Sequence, residues 1–351
     1  MKLIACIALL LPSLTFAQYI RTDLVVGPGG DPDLVNAWGL TTLPGLFFWV
    51  SDNGTGKSTL YTGTGMKQGL IVNIPSATAG VAGQPTGTVG NTSAVASAFT
   101  VSDGTHSGRA IFLFATLDGT ISGWNPGVDP TGLFAGPNHF STTAALAVNR
   151  SSVSATYTGL AIGNSGGHDF LYAADDGPNR RIDVFDSTFT LVQPSPNAFQ
   201  DPNIPRNFTP YGIQNINGNI WVTYTALNKA QGGFVDKFAP DGTLLQHFAV
   251  HGPLHSPWGL AQAPADFGPM SNAILVSNND TQGRINAFDP NTGAFLGPLR
   301  DADGKPIEVN EIWAIQFGLG DTNNGPKNHL FFTAGPNAYS NGLFGVIQAA
   351  Q

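Results

Sequence analysis

The chain has 351 residues, of which only 11% are charged, and it carries 44 Gly and 25 Pro. That composition disfavours long helices and suits many short strands joined by tight turns. A formal net charge of -8 with no basic run argues against nucleic acid as a partner.

Residues 1–17 read as a leader. Lys2 is a basic start, Leu3 to Leu11 an apolar run too short for a good membrane span, and Thr15-Phe16-Ala17 a small-residue cleavage site. The expectation is a signal peptide over 1–17 and a secreted, extracellular, monomeric protein with a single domain over 18–351. Cys6, the one cysteine, falls in the leader, so the mature chain has no disulfide, thiolate metal site or cysteine nucleophile. N-x-S/T sequons at Asn53, Asn91, Asn149, Asn207 and Asn279 are acceptors for glycans only in a eukaryotic secretory pathway.

Tyr19 to Val26 is a lone strand. A unit then opens at Asn36-Ala37-Trp38-Gly39-Leu40 and continues with Phe48 to Asp52 and Ser58 to Tyr61. The second unit opens at Gln84-Pro85-Thr86-Gly87, followed by Ile111 to Thr116 and Gly119 to Trp124. The third has Tyr157 to Ala161, Phe170 to Asp175 and Arg181 to Asp186. The fourth has Thr209 to Ile213, Asn219 to Tyr224 and Gly233 to Phe238. The fifth has Ser256 to Ala261, Ala273 to Asn278, Gly283 to Asp289 and a short fourth strand, Ala294 to Gly297. The sixth has Glu311 to Ile315, His329 to Ala334 and Gly342 to Ile347.

The small residues that open the units are Gly39, Gly87, Gly159, Gly212, Gly259 and Ala314, at spacings of 48, 72, 53, 47 and 55. Most of these match one propeller blade. The long gap is assigned to an insertion, Asn138 to Ser154, read as a loop. Six imperfect four-stranded repeats predict an all-β fold, a six-bladed β-propeller of antiparallel blades. The last unit lacks a fourth strand and the first strand lacks a unit. Pairing Tyr19–Val26 with Gly342–Ile347 would close the ring and hide a sheet edge.

The motifs NAWGL, FFWVSDNGTGKSTLY, LFATLDGTISGWNP, LYAADDGPNRRIDVFD, LHSPWGLAQAPADFGPMSNAILV and GRINAFDPNTGAFLGPLRDADGKP resemble a bacterial and fungal family of secreted, uncharacterised β-propellers related to NHL-repeat proteins. The resemblance spans essentially the whole mature chain and brings no reaction with it. It implies that the loop before strand one and the loop between strands two and three share a top face. Those positions hold Asn36, Trp38, Asp52, Asn53, Asp175, Asp176, Tyr211, Tyr224, His255, Trp258, Asn278, Asp280, Glu311 and Trp313.

Two readings compete for each of these residues. Asn36, Asp52, Asp175, Asn278 and Glu311 offer the hard oxygens that a divalent cation such as calcium takes, or they cap turns. Trp38, Trp258 and Trp313, with Tyr211 and Tyr224, offer a platform for a flat ligand, or they pack between blades. His255 is the one histidine at a strand-one mouth, and His255 with Glu311 are the catalytic candidates; the alternative is a solvated histidine. A single histidine does not make the zinc site of a peptide-amidating lyase. No nucleophile elbow, HExxH helix or phosphate loop occurs in its required context. The leading expectation is a module that binds a small molecule, glycan or protein over the top face of the central channel. The alternatives are a cation-dependent hydrolase, lactonase or lyase acting on a small secreted or sugar-derived molecule, and a purely structural surface module.

Overall fold

The computed structural model describes residues 18–192, 195–228 and 232–350; the leader expected over 1–17 lies outside them. Among the described residues no helix is long and apolar enough to cross a membrane.

Six four-stranded antiparallel sheets form the ring. Blade one holds Ala37–Thr41, Phe48–Asp52, Lys57–Tyr61 and Lys67–Asn73. Blade two holds Pro85–Gly90, Phe112–Thr116, Thr120–Trp124 and Ala145–Asn149. Blade three holds Tyr157–Ser165, His168–Asp175, Arg181–Asp186 and Leu191–Val192. Blade four holds Phe208–Ile216, Asn219–Ala226, Phe234–Phe238 and Leu244–Val250. Blade five holds Pro257–Gln262, Ile274–Asn278, Ile285–Phe288 and Phe295–Pro298. Blade six holds Ile312–Phe317, Leu330–Ala334 and Gly342–Ala349, completed by Tyr19–Gly27.

The closure is antiparallel, from Tyr19 opposite Ala349 to Gly27 opposite Gly342, with a bulge between Asp23 and Val25. One expectation fails. The 138–154 stretch is not a loop throughout, because Ala145–Asn149 is the fourth strand of blade two. The extra length lies instead in residues 91–111, which include a small hairpin of Thr100–Ser102 and Ser107–Arg109, and in residues 125–144.

The middle strands are apolar runs rather than alternating ones because neighbouring blades cover both of their faces. In Ile274–Asn278 every residue is buried. The core is therefore divided among the seams. Trp49, Leu60 and Val72 of blade one meet Phe112, Phe114 and Trp124 of blade two, and Trp221, Val235 and Phe248 of blade four meet Leu260, Val276 and Phe288 of blade five.

The inner strands pack too closely for a side chain at the glycines that open the units. A Cβ on Gly212 would stand 2.0 Å from the Trp258 carbonyl oxygen, and one on Gly87 would stand 2.3 Å from the Leu160 nitrogen. Hydroxyls stitch these strands together. Ser277 Oγ accepts from Gly259 N at 2.8 Å and donates to Trp313 O at 2.6 Å, one blade on. Blades two and three carry Ala115 and Ala174 where Ser277 stands. There the inner strand supplies the hydroxyl: Thr86 donates to Tyr157 O at 2.6 Å and Thr158 to Tyr211 O at 2.7 Å.

Candidate functional site

The residue before each opening glycine, or before Ala314 in blade six, lies at the channel. Blades one, four, five and six place Trp38, Tyr211, Trp258 and Trp313 there, in one buried cluster. Trp38 and Trp313 stack with centroids 3.6 Å apart, and Trp258 meets both edge-on at 6.4 and 6.0 Å. Trp258 Nε1 donates across the channel to Thr158 O at 3.0 Å, and Trp313 Nε1 donates to Asn36 Oδ1 at 2.8 Å. None of the four is more than 8% exposed. With six inner strands so close, the channel is filled by these rings. They form a plug across the whole ring rather than an open platform or a contact between adjacent blades only.

The five proposed calcium ligands are not brought to one point. Asn36 gives its amide to Asn53 Oδ1 at 3.1 Å, and its oxygen is taken by Trp313. Asp175 Oδ1 accepts from Thr156 N at 2.8 Å and Gly177 N at 2.9 Å, capping its turn. Glu311 Oε2 receives only a long contact from Tyr339 N, 3.4 Å. Asn278 donates to Pro253 O at 2.7 Å. Among the described residues, Asp52, Asp175 and Glu311 do not form a cluster with ligand atoms within 4.8 Å of one another. Tyr224 is absent from the mouth too. It lies within strand two, opposite Pro210, and packs in the seam between blades three and four.

Asp52 is fully buried, and neither of its carboxylate oxygens has a hydrogen-bond partner. Burial, with the nearby charges of Asp31 and Asp33, holds its carboxyl well above the ordinary value. The folded form thus keeps a proton that the unfolded chain releases above about pH 4, so this group makes stability fall as pH rises from there toward its folded value. Asp52→Asn is expected to raise the melting temperature at neutral pH and to flatten the pH profile over that window. A variant that melts lower than the parent at pH 7 and higher at pH 4 would contradict this.

His255 and Glu311 do share a face, joined through Asp280. His255 Nδ1 stands 3.4 Å from Asp280 Oδ2, and Glu311 N donates to Asp280 O at 2.8 Å. Outward from the plug, His255 opens onto a cleft of about 300 Å³ in blade five, lined by Asn278, Asp280, Arg284, Asn286, Arg300 and Phe295 among others. Arg284 is held by Glu308 at 2.8 Å and Arg300 by Gly304 O at 2.7 Å. Asn278 Oδ1 is buried there without a partner. The cleft was only partly visible in the sequence, through His255, Asn278 and Asp280. Its arginines sit just before strand three and just beyond strand four, positions far apart in the sequence.

Of the five sequons, Asn53, Asn91 and Asn279 are buried, with their amides donating to Pro85 O, Ala98 O and Ala110 O, and Ile312 O. Asn149 and Asn207 are exposed.

The ring of six antiparallel blades defines a β-propeller with a plugged axis and polar loops on one face. The chain belongs to the family of uncharacterized protein R648 of Acanthamoeba polyphaga mimivirus, with which it shares 31% identity over 328 residues, 90% of this chain and 76% of that one. Uncharacterized protein L690 of the same virus is also 31% identical, over 90% of this chain and 81% of its own length. No family model matches the sequence. Among solved structures, the ring is similar to an aldose sugar dehydrogenase from Streptomyces coelicolor in its PQQ-bound form, with a TM-score of 0.55 at 12% identity over 96% of this chain and 99% of that one. It is also similar to an inactive virginiamycin B lyase from Staphylococcus aureus with quinupristin, with a TM-score of 0.53 at 12% identity over 95% of this chain and 99% of that one. At such identities the likeness carries the fold alone.

Proposed function

We propose that the protein is a secreted, NHL-like recognition propeller that takes a small hydroxyl-rich ligand, of the size of a sugar or sugar acid, in the blade-five cleft of its top face. The observation that carries this reading is Asn278 Oδ1, a buried acceptor without a donor, at a cleft of about 300 Å³. An unpaired buried carbonyl costs about 1–3 kcal/mol, which a ligand hydroxyl recovers by donating to it. Donors of both Arg side chains, the His255–Asp280 pair and the apolar edge of Phe295 complete a lining for an amphipathic ring. Export rests on Lys2 and the apolar run Leu3 to Leu11.

The test is a panel of monosaccharides and aldonic acids, titrated calorimetrically against the parent and against Asn278→Ala and Asp280→Asn. The expected result is saccharide binding weakened at least tenfold in both variants, with the fold intact by circular dichroism. Binding unchanged in both, or none to the panel, removes the reading. The His255–Asp280 contact of 3.4 Å favours one further reading. Asp280 there orients an imidazole as general base, and the protein hydrolyses a sugar lactone. Aldonolactone turnover that His255→Ala abolishes would select this second reading over simple binding.

A further inference from the structure

Each central third-strand position in blades three, four and five carries a buried polar residue facing the preceding seam. The residues are Asp183, Asp236 and Asn286, opposite Ala173, Val222 and Val276. In blade three the carboxylate is neutralised. Arg181 Nε lies 2.6 Å from Asp183, Arg150 Nε lies 3.9 Å away, and the Tyr157 hydroxyl donates to it at 2.8 Å. In blade five the residue is an uncharged amide that donates to Pro253 O at 2.9 Å.

Blade four has the carboxylate without the arginines. What faces Asp236 is a second carboxylate, Asp201, from the loop that leads into the blade, together with His247 from strand four. The side chains of Asp201 and Asp236 are both 0% exposed. Lys237, the nearest cation in sequence, points away, its Nζ 5.3 Å from the centre of the Trp221 ring.

The oxygens of this group are under-used. Asp201 Oδ1 is fixed by Asn203 N at 2.7 Å and Asn203 Nδ2 at 2.9 Å, which turns Oδ2 inward. Asp236 Oδ2 is buried without a hydrogen bond, and Asp201 Oδ2 has only the His247 ring nitrogen beside it. His247 Nδ1 stands 2.6 Å from Asp201 Oδ2 and 2.8 Å from Asp236 Oδ1, and one ring nitrogen can donate well to only one of them. All three ligand atoms lie within 4.8 Å of one another. Two buried carboxylates and one imidazole leave a net negative charge even when the imidazole is protonated, and isolated buried charge of that kind is costly.

We propose that Asp201, Asp236 and His247 form a binding site for a first-row divalent cation, zinc or manganese, clamping the loop 195–207 onto blade four. An imidazole with two carboxylates suits these metals, whereas calcium prefers oxygen alone. His247, with 27% of its side chain exposed, is the entry path. The site is independent of the blade-five cleft.

The test uses the full chain, stripped with chelator and dialysed. Zinc chloride is titrated calorimetrically, and cobalt(II) serves as an optical probe of a nitrogen–oxygen ligand set. The expected result is one equivalent of zinc, a raised melting temperature, and a cobalt spectrum displaced by zinc. Asp236→Asn and His247→Gln should each weaken zinc binding at least a hundredfold. His247 is only partly buried and lies on an outer strand, so His247→Gln keeps the test valid if Asp236→Asn fails to fold. No zinc uptake, or uptake equal in parent and His247→Gln, overturns the proposal.

Discussion

Deleting residues 18–27 is expected to abolish cooperative thermal unfolding. The strand they form is the outer strand of blade six, paired from Tyr19–Ala349 to Gly27–Gly342. Its hydrogen bonds are worth about 0.5–1.5 kcal/mol each in net terms. Tyr19 adds more. It is 2% exposed, its ring lies 4.8 Å from that of Phe267, and its hydroxyl donates to Phe267 O at 2.8 Å while accepting from Met270 N at 3.0 Å. The strand therefore ties blade six to the loop between strands one and two of blade five as well as to its own sheet. Loss of all of this amounts to several kcal/mol against a typical total of about 5–15. The exposed Gly342–Ala349 edge would then recruit other chains. The measurement is melting by circular dichroism together with light scattering. A truncated chain that melts at the parental temperature and scatters no more light than the parent would show that closure is dispensable.

That closure was legible because two incomplete elements at opposite ends of the sequence complete each other. The blades were legible because middle strands such as Ile274–Asn278 are apolar runs bounded by turn residues. Blade two was partly misread. Only Ala145 and Val148 of Ala145–Asn149 are buried, and the strand follows a long non-repetitive connection, so nothing local marks it as a strand. The channel plug was half-read. The recurrence of Trp38, Trp258 and Trp313 before a small residue is plain in the sequence, but the width of the hole is not. It depends on glycine backbones meeting across six blades, as at Gly212 and Trp258. The site in blade four was missed for another reason. Asp236 and His247 face each other across one hairpin, which strand pairing could have suggested, but Asp201 enters from a loop with no repeat partner. Tyr224 was placed on the wrong surface because strand two of blade four, unlike those ending at Asp52 and Asn278, runs two residues further to Ala226, and Tyr224 packs in a seam.

Replacing Trp313 by alanine is expected to cost about 3–5 kcal/mol, the range for removing a large buried aromatic side chain. Trp313 is 1% exposed and sits at the middle of the plug. It stacks on Trp38 at 3.6 Å and touches Tyr211 at 5.9 Å, Trp258 at 6.0 Å and Tyr339 at 5.7 Å. Its indole nitrogen is also the donor to Asn36 Oδ1. Without it the side chain of Asn36, a residue held at a positive φ of 47°, keeps only its hydrogen bond to Asn53 at the entry to blade one. Trp313→Phe separates the two terms: it retains much of the stacking and loses the hydrogen bond, so its cost should be smaller than that of alanine. His255→Ala removes a side chain that is 33% exposed and outside the plug, and should change stability by no more than about 0.5 kcal/mol. Chemical denaturation of the three variants gives the ranking directly. If Trp313→Ala proves as stable as the parent, the rings do not hold the ring of blades together. The channel then regains its standing as the place where a flat ligand would bind.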